Sequence, residues 1–215
     1  MKNKNLQKLY KKVDACRFCK AMGNSLQHIH GFGAMSPELM LVLVNPTYRN
    51  LSSKPEYKGP RLPFIGVRQF WKVLADGGLI SKKTSYDLPP PSDWNDTHTK
   101  IVQEELLRNK LFLTNVVKCC YPHGAYPDYE VTEDGLKKLA QEIRTVRPKK
   151  IIAFSIFVNK LLTGKTIKMS SLDKQLPEAF PEEISGFKIP VLPCYFPIGR
   201  GNPKKAVEIL NKIKL

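Results

Sequence analysis

The stretch Leu39–Tyr48 constrains the fold of this chain more than any other part of the sequence. Six apolar residues, 39–44, run without a break and are followed directly by Asn45-Pro46. An unbroken apolar run of this length is typical of a strand buried on both faces of a parallel sheet. Proline cannot donate a hydrogen bond to a neighbouring strand, so the strand must end there. Because ligands of open α/β sheets bind beyond the carboxyl ends of the strands, Asn45 lies where a reaction centre is expected.

Strands and helices are predicted to alternate along the rest of the chain. After the strand at 39–44, further strands are predicted at residues 111–117, 149–155 and 189–195. Between these strands, apolar residues recur at the spacing of helices. Such alternation predicts an α/β fold, a three-layer α/β/α sandwich with a central four-stranded parallel sheet. The prolines at 190 and 193 suggest an edge position for the last strand. One domain accounts for residues 1–215.

The charge of the chain indicates the class of its partner. Lys and Arg total 35 against 19 acidic residues, which gives a formal net charge of +16. Such an excess favours a polyanion, most often nucleic acid, although a solvated basic surface is the alternative. No apolar run is long enough to span a membrane, and no signal-peptide pattern follows the basic N-terminus. We therefore expect a cytoplasmic monomer that does not interact with membranes.

The cysteines predict a metal site. There are five, at positions 16, 19, 119, 120 and 194, and an odd number in a cytoplasmic protein argues against a disulfide framework. The Cys16-x-x-Cys19 pair and the adjacent Cys119-Cys120 pair are typical of thiolate ligands, because four thiolates from distant segments can complete an iron–sulfur site. The alternatives for Cys16 and Cys19 are unrelated thiols or a redox motif. A redox motif is expected at a strand-to-helix turn, and no strand is predicted before Cys16.

Several segments match a known family in their order along the chain. They are Cys16-x-x-Cys19, Leu39–Pro46 (GEAPG in the family), L-P-F-I-G at 62–66 (PFVG), L-T-N-V-V-K-C at 113–119 (ITNVVKC) and, more weakly, Pro148–Ile152. In these segments the chain resembles the uracil-DNA glycosylase superfamily, and most closely its iron–sulfur (family 4) group. The resemblance implies a four-stranded parallel sheet flanked by helices, DNA as the partner and an activity in base-excision repair.

Three positions depart from the family 4 pattern. The catalytic-loop Glu falls on Val44, the His of the second motif falls on Phe196, and the fourth cluster cysteine falls on Gly135. Asn45-Pro46 instead resembles the Asn-Pro of the GMNPG and GINPG loops of single-strand-selective and mismatch-specific uracil glycosylases. Residues 197–203 likewise resemble the second loop of the single-strand-selective group.

The resemblance implies a role for each residue of a base-binding pocket. Phe64 is expected to stack on the base, and the Asn115 amide to read its edge, because an amide donates and accepts at once. Asn45 is the predicted catalytic residue, which positions a water molecule, since Asn cannot act as a strong general base. Phe196 is expected to pack in the wall of the pocket, and Tyr48 is expected to line it because it lies close after Asn45 along the chain rather than because of the resemblance. The structural alternatives are that Asn45 caps a turn, that Phe64 belongs to the core and that Asn115 satisfies backbone groups.

Two further groups of residues are predicted outside the pocket. Arg200 and Lys204 are expected to contact DNA phosphates next to a glycine-rich turn. A [4Fe–4S] cluster is expected on Cys16, Cys19 and Cys119, with Cys120 as the substitute fourth ligand. The alternatives are a cluster with other ligands, no cluster, and zinc in its place.

These residues predict a DNA glycosylase, a hydrolase that cleaves the N-glycosidic bond of uracil or another deaminated or damaged base flipped into the pocket. The transition state of such a reaction resembles a sugar oxocarbenium ion. Without a carboxylate, positioning and oriented dipoles must lower more of the barrier, so we expect a slower enzyme or a different base. The alternative is a weakened or inactive nucleic-acid-binding relative. The three departures favour that alternative, whereas the retained Asn45, Phe64 and Asn115 favour the enzyme.

Overall fold

A computed structural model of the protein describes residues 3–16, 26–122, 125–172, 180–184, 187–199 and 201–213. The strands in these ranges are β1 (Phe32–Gly33), β2 (Leu39–Leu43), β3 (Leu111–Asn115), β4 (Lys150–Phe154), β5 (Phe180–Ile184) and β6 (Phe187–Cys194). The α-helices are α1 (Lys4–Asp14), α2 (Arg68–Asp76), α3 (Lys82–Tyr86), α4 (Asp96–Arg108), α5 (Tyr129–Val146), α6 (Ile156–Thr163), α7 (Met169–Leu172) and α8 (Pro203–Leu210). Over these ranges, no helix combines the length and the apolar character needed to cross a membrane.

The strands form one sheet in the order β1-β3-β2-β4-β6-β5. The four central strands are parallel, which confirms the predicted α/β class and its four-stranded parallel core. The short outer strands β1 and β5, which the sequence analysis did not predict, pair antiparallel with β3 and β6. The expectation of an edge position for β6 is therefore wrong. Pro190 lies opposite Pro181 of β5, and this pairing gathers two residues without amide hydrogens at one position of the sheet.

Burial on both faces explains the apolar sequence of β2. All five of its residues are buried between β3 and β4. Leu39, Leu41 and Leu43 face a core built with residues of α2, α4 and α8. Met40 and Val42 face a second core, built with residues of α5 and α6. The two cores fill the two interfaces between the three predicted layers, one on each face of the sheet.

The segment after β2 is held in place by the segment after β3. The amide of Val116 donates to the carbonyl of Leu43 at 2.8 Å, and the amide of Val117 donates to that of Val44 at 2.9 Å. Farther along, the amide of Tyr121 donates to the carbonyl of Pro46 at 3.0 Å. The segments that follow β2 and β3 thus continue side by side beyond the sheet, and their hydrogen bonds fix the backbone around Asn45.

Candidate active site

A cavity of about 380 Å³ lies at the carboxyl ends of the parallel strands. Each central strand contributes to its wall: Asn45 follows β2, Asn115 ends β3, Ser155 follows β4 and Phe196 comes shortly after β6. Phe64, from the segment between β2 and α2, adds an aromatic ring. The volume falls in the range of small-molecule sites, and the position is the one where open α/β sheets bind ligands.

Asn115 carries the clearest sign of a missing partner. The residue is only 1% exposed, and neither its side-chain oxygen nor its side-chain nitrogen has a hydrogen-bond partner among the described residues. Buried polar atoms are nearly always paired, so an unpaired carboxamide in a cavity wall points to a ligand. Because the amide has both an acceptor and a donor, the ligand edge that it fits presents a donor next to an acceptor. The alternative, that Asn115 satisfies backbone groups, does not agree with these two unpaired atoms.

Phe64 is held in an unusual backbone conformation. Its φ of 63° lies in the left-handed region, which is uncommon for a bulky residue and is found at functional sites. Its carbonyl accepts a hydrogen bond from the Trp71 indole at 3.0 Å, and its ring stacks on Phe70 with centroids 3.8 Å apart. The ring therefore joins the core and lines the cavity at once, so the two roles considered for it are compatible.

The Asn45 carboxamide is oriented within its own loop. Its Nδ2 donates to the carbonyl of Pro46 at 2.9 Å, which agrees with a turn-capping role. The residue is half-buried and lines the cavity, so its Oδ1 remains as an acceptor for a water molecule. Val44, at the position of the family 4 Glu, lies in the same wall and is buried.

The described part of the cavity wall contains no Asp, Glu or His, and its charged side chain is Arg49. Phe196 stands in the wall at the position where the resemblance expected a His. A reaction that uses only these described wall residues relies on oriented amides and on the surrounding dipoles rather than on a carboxylate or an imidazole.

Some predicted residues lie away from the cavity. Tyr48 is 41% exposed and is not part of the wall. Lys204 lies exposed in the first turn of α8, also away from the wall. Arg200 lies outside the described residues. The roles predicted for these residues stay predictions.

Ser155 and Tyr126 are among the wall residues that the sequence analysis did not single out. Ser155 has a φ of 116°, and its hydroxyl accepts from the amide of Val158 at the start of α6. The signal that identified Asn45, a polar residue directly after a buried strand, would have found Ser155 as well. Tyr126 lines the cavity from the segment before α5, where no sequence pattern marks it.

The predicted thiol ligands are only partly brought together. Cys16 and Cys119 line one cavity of about 10 Å³, together with Gly135. Cys120 is fully buried but is not part of that wall, and its sulfur lies 3.9 Å from the carbonyl oxygen of Gln27. Cys19 lies outside the described residues. No three His, Cys, Asp or Glu side chains within the described ranges are arranged to hold a metal ion.

The environment of Cys16 also bears on the cluster. Lys138 Nζ lies 3.1 Å from the Cys16 sulfur and is paired with Asp134. Burial lowers the pKa of Lys138, but its contacts with Asp134 and Cys16 outweigh burial and raise it, so an ammonium group stands beside the sulfur. A Cβ at Gly135 would lie 2.8 Å from a methyl group of Val117, which leaves no room for a fourth ligand there.

A [4Fe–4S] cluster takes four thiolates, and the small cavity has roughly the volume of one water molecule. The described residues supply two thiols to it and therefore do not fit the cluster by themselves.

Comparison with known proteins identifies the family. A family model described as "Uracil DNA glycosylase superfamily" matches residues 30–214. The chain belongs to this superfamily. It is 26% identical over 196 residues to a type-4 uracil-DNA glycosylase of Saccharolobus solfataricus. The matched region covers 90% of this chain and 76% of the relative. It is 27% identical over 158 residues to a type-4 uracil-DNA glycosylase of Pyrobaculum aerophilum. Here the matched region covers 74% of this chain and 64% of the relative.

Membership of the uracil-DNA glycosylase superfamily confirms the resemblance stated from the sequence, and the type-4 relatives agree with the group named there. The departures from the family 4 pattern now have defined places. Val44 and Phe196 both line the large cavity, and Gly135 lines the small thiol cavity. The three departures noted from the sequence therefore all lie in the walls of these two cavities.

Substitution of Asn115 by Leu is predicted not to destabilise the fold, as expected of a side chain that has no structural hydrogen bond. The change removes two unpaired buried polar atoms, so the free energy of unfolding should stay the same or rise by about 1 kcal/mol. Urea unfolding measures it. The control is Thr114→Val at the neighbouring residue, whose hydroxyl donates to Glu142 at 2.7 Å, and which should lose about 1–3 kcal/mol. An equal loss in both variants would mean that the Asn115 amide has a structural partner.

Proposed function

We propose that the protein is a DNA glycosylase that hydrolyses the N-glycosidic bond of uracil or of another deaminated or damaged base. The observation that carries this proposal is the unpaired Asn115 carboxamide in the wall of a cavity beyond the parallel strands. Membership of the uracil-DNA glycosylase superfamily and the names of the two relatives support the reaction class. The net charge of +16 supports DNA as the partner, because phosphate contacts supply much of the affinity for DNA. We further propose that residues 1–215 act as one domain, as a cytoplasmic monomer.

Base recognition follows from the chemistry of the wall. The target nucleotide leaves the base stack and enters the cavity. The Phe64 ring packs against the base, and the Asn115 amide pairs with its edge. The imide of uracil presents an N–H beside a carbonyl oxygen, so Oδ1 accepts from the N–H while Nδ2 donates to the oxygen.

Bond cleavage then needs little help from proton transfer. As the bond between C1′ and the base nitrogen breaks, its electron pair moves onto the base, and the sugar approaches an oxocarbenium ion. Nδ2 of Asn115 donates to the oxygen on which negative charge develops, in a site that excludes bulk water. The Asn45 Oδ1 holds a water molecule that adds to C1′, and the proton that this water loses passes to the base anion, which leaves as the neutral base. Positioning and amide dipoles thus take the place of the family 4 carboxylate and of the motif-two His.

A second candidate function is a nucleic-acid-binding protein without catalysis. It is favoured by the lack of a carboxylate or imidazole in the described cavity wall. This alternative predicts DNA binding without base release, so one assay distinguishes the two.

We predict base release from end-labelled oligonucleotides that carry uracil, hypoxanthine, xanthine or an alkylated base. Alkaline cleavage at the resulting abasic site gives the rate on single- and double-stranded substrates. Asn45→Ala should lower kcat by about 100-fold, the typical effect of removing one group that orients or stabilises the reacting atoms. Asn109→Ala, the same substitution at the C-terminus of α4, should keep the parent rate. DNA binding with no abasic product from any substrate would establish the non-catalytic alternative, and an unchanged rate in Asn45→Ala would remove Asn45 from the mechanism.

The pH dependence gives a separate prediction. Since the described wall holds no Asp, Glu or His, single-turnover rates at saturating enzyme should be constant between about pH 5.5 and 8.5. A rate that falls tenfold per pH unit on the acid side would instead reveal a titrating general base.

The metal prediction is tested by two neighbouring cysteines. The [4Fe–4S] cluster expected from the sequence requires iron and sulfide in the purified protein and absorption at roughly 400 nm. Since Cys119 lines the small cavity and Cys120 does not, Cys119→Ser should reduce the bound metal, whereas Cys120→Ser should keep the parent content. Loss of metal in Cys120→Ser would establish it as a ligand, and neither iron nor zinc in the parent would reject a metal cofactor.

A further inference from the structure

A fully buried ion pair lies directly behind Asn115. Lys118 is 3% exposed and Glu142 of α5 is 0% exposed, and their charged groups are 2.7 Å apart. Lys118 Nζ also donates to the Thr114 hydroxyl and, at 2.8 Å, to the backbone carbonyl of Asn115. All three hydrogens of the ammonium group are therefore directed to acceptors.

The carboxylate is satisfied as completely as the ammonium. Glu142 accepts from Lys118, from the Thr114 hydroxyl at 2.7 Å and from the Tyr10 hydroxyl of α1 at 2.6 Å. Gly31 makes room for this network, because a Cβ there would lie 2.6 Å from Glu142 Oε1 and 2.8 Å from the Thr114 hydroxyl. The network joins α1, β3 and α5 without a gap.

Stability alone does not account for such a pair. Removing two charges from water costs as much as or more than their attraction returns, and well-packed apolar residues are often equally stable. Burial accordingly lowers the pKa of Lys118, and the Glu142 carboxylate opposes that effect. Groups that bring so little net stability are better explained by the geometry that they impose.

The geometry in question is that of Asn115. Its side chain has no hydrogen bond of its own, so its direction depends on packing and on the backbone that carries it. On one side, that backbone is in register with Leu43 of β2, and the next amide, of Val116, donates to the Leu43 carbonyl. On the other side, the Asn115 carbonyl accepts from Lys118. The ammonium thus closes the turn that follows β3. Its hydrogen bond fixes the Asn115 carbonyl, and with it the orientation of the Cα that carries the carboxamide.

We propose that Lys118, neutralised by Glu142, is a positioning residue that holds the Asn115 carboxamide in the orientation that reads the base. This inference rests on the proposed function. It assigns to Lys118 no contact with the base and no part in proton transfer.

The test is a double-mutant cycle between the ion pair and Asn115. Lys118→Met alone would leave a bare buried carboxylate and unfold the protein, so Lys118→Met is combined with Glu142→Gln, which keeps the shape and removes both charges. This neutral pair should lower kcat/KM by about tenfold with Asn115 present. In an Asn115→Ala background the same pair should change kcat/KM by less than about twofold, because contacting residues that act as a unit are non-additive.

Two controls separate positioning from stability. Urea unfolding of each variant shows that the assays report on folded protein. Glu105→Gln alters another buried carboxylate, on α4 and away from the cavity wall, and should leave kcat/KM unchanged even where it lowers stability. Equal losses from the neutral pair in both Asn115 backgrounds would overturn the proposal, as would a parent-like kcat/KM in the neutral pair.

A readout without substrate keeps this proposal distinct from the proposed function. In ¹⁵N–¹H spectra, the side-chain amide signals of Asn115 are assigned by their loss in Asn115→Ala. They should shift or broaden in the neutral pair and stay unchanged in Glu105→Gln. Unchanged Asn115 signals in the neutral pair would reject positioning by Lys118 whether or not the protein releases a base, whereas a shift without any base release would support positioning and reject the glycosylase.

Discussion

Burial of β2 on both of its faces is the constraint on which the rest of the structure depends. A strand enclosed by two cores can carry polar side chains only beyond its end, and here the chain changes from Val44 to Asn45-Pro46 at that point. The neighbouring strand ends in the same way at Asn115, and β4 does so at Ser155. Apart from Thr114, whose hydroxyl joins the Glu142 network, and Lys150 at the exposed start of β4, the polar side chains of these three strands therefore lie at the edge that holds the cavity.

The same exclusion gives the cavity its chemical character. Two unpaired amide atoms and an aromatic ring in a mostly apolar wall suit a flat, neutral ligand with a polar edge. A charge is present nearby, on Lys118, but it is compensated by Glu142 and turned toward the backbone. Apart from the Arg49 guanidinium, the described wall therefore acts through oriented dipoles, which a folded scaffold can hold in place before the ligand arrives.

Much of this could be predicted from the sequence, and the limits have physical causes. The parallel strands, Asn45 and Asn115 were found because apolar runs that end in a polar residue are local signals. The short strands β1 and β5 were missed, because two residues carry no periodicity and because pairing across the sheet depends on contacts distant in sequence. Tyr48 was expected in the pocket from its nearness to Asn45 along the chain, yet the turn after Pro46 leaves it exposed. The network of Tyr10, Lys118 and Glu142 joins three separated segments that no spacing rule connects.

Tyr10 connects the N-terminal helix α1 to the ion pair behind Asn115, although α1 contributes no residue to the described cavity wall. By covering Glu142 and donating to it, α1 keeps water from the charge pair that underlies Asn115. The stacked rings of Tyr10 and His30 hold this cover in place from the other side. The helix that precedes Cys16 therefore covers the ion pair behind Asn115. In the proposed function, base recognition by Asn115 therefore also depends on how the N-terminal helix packs against Glu142.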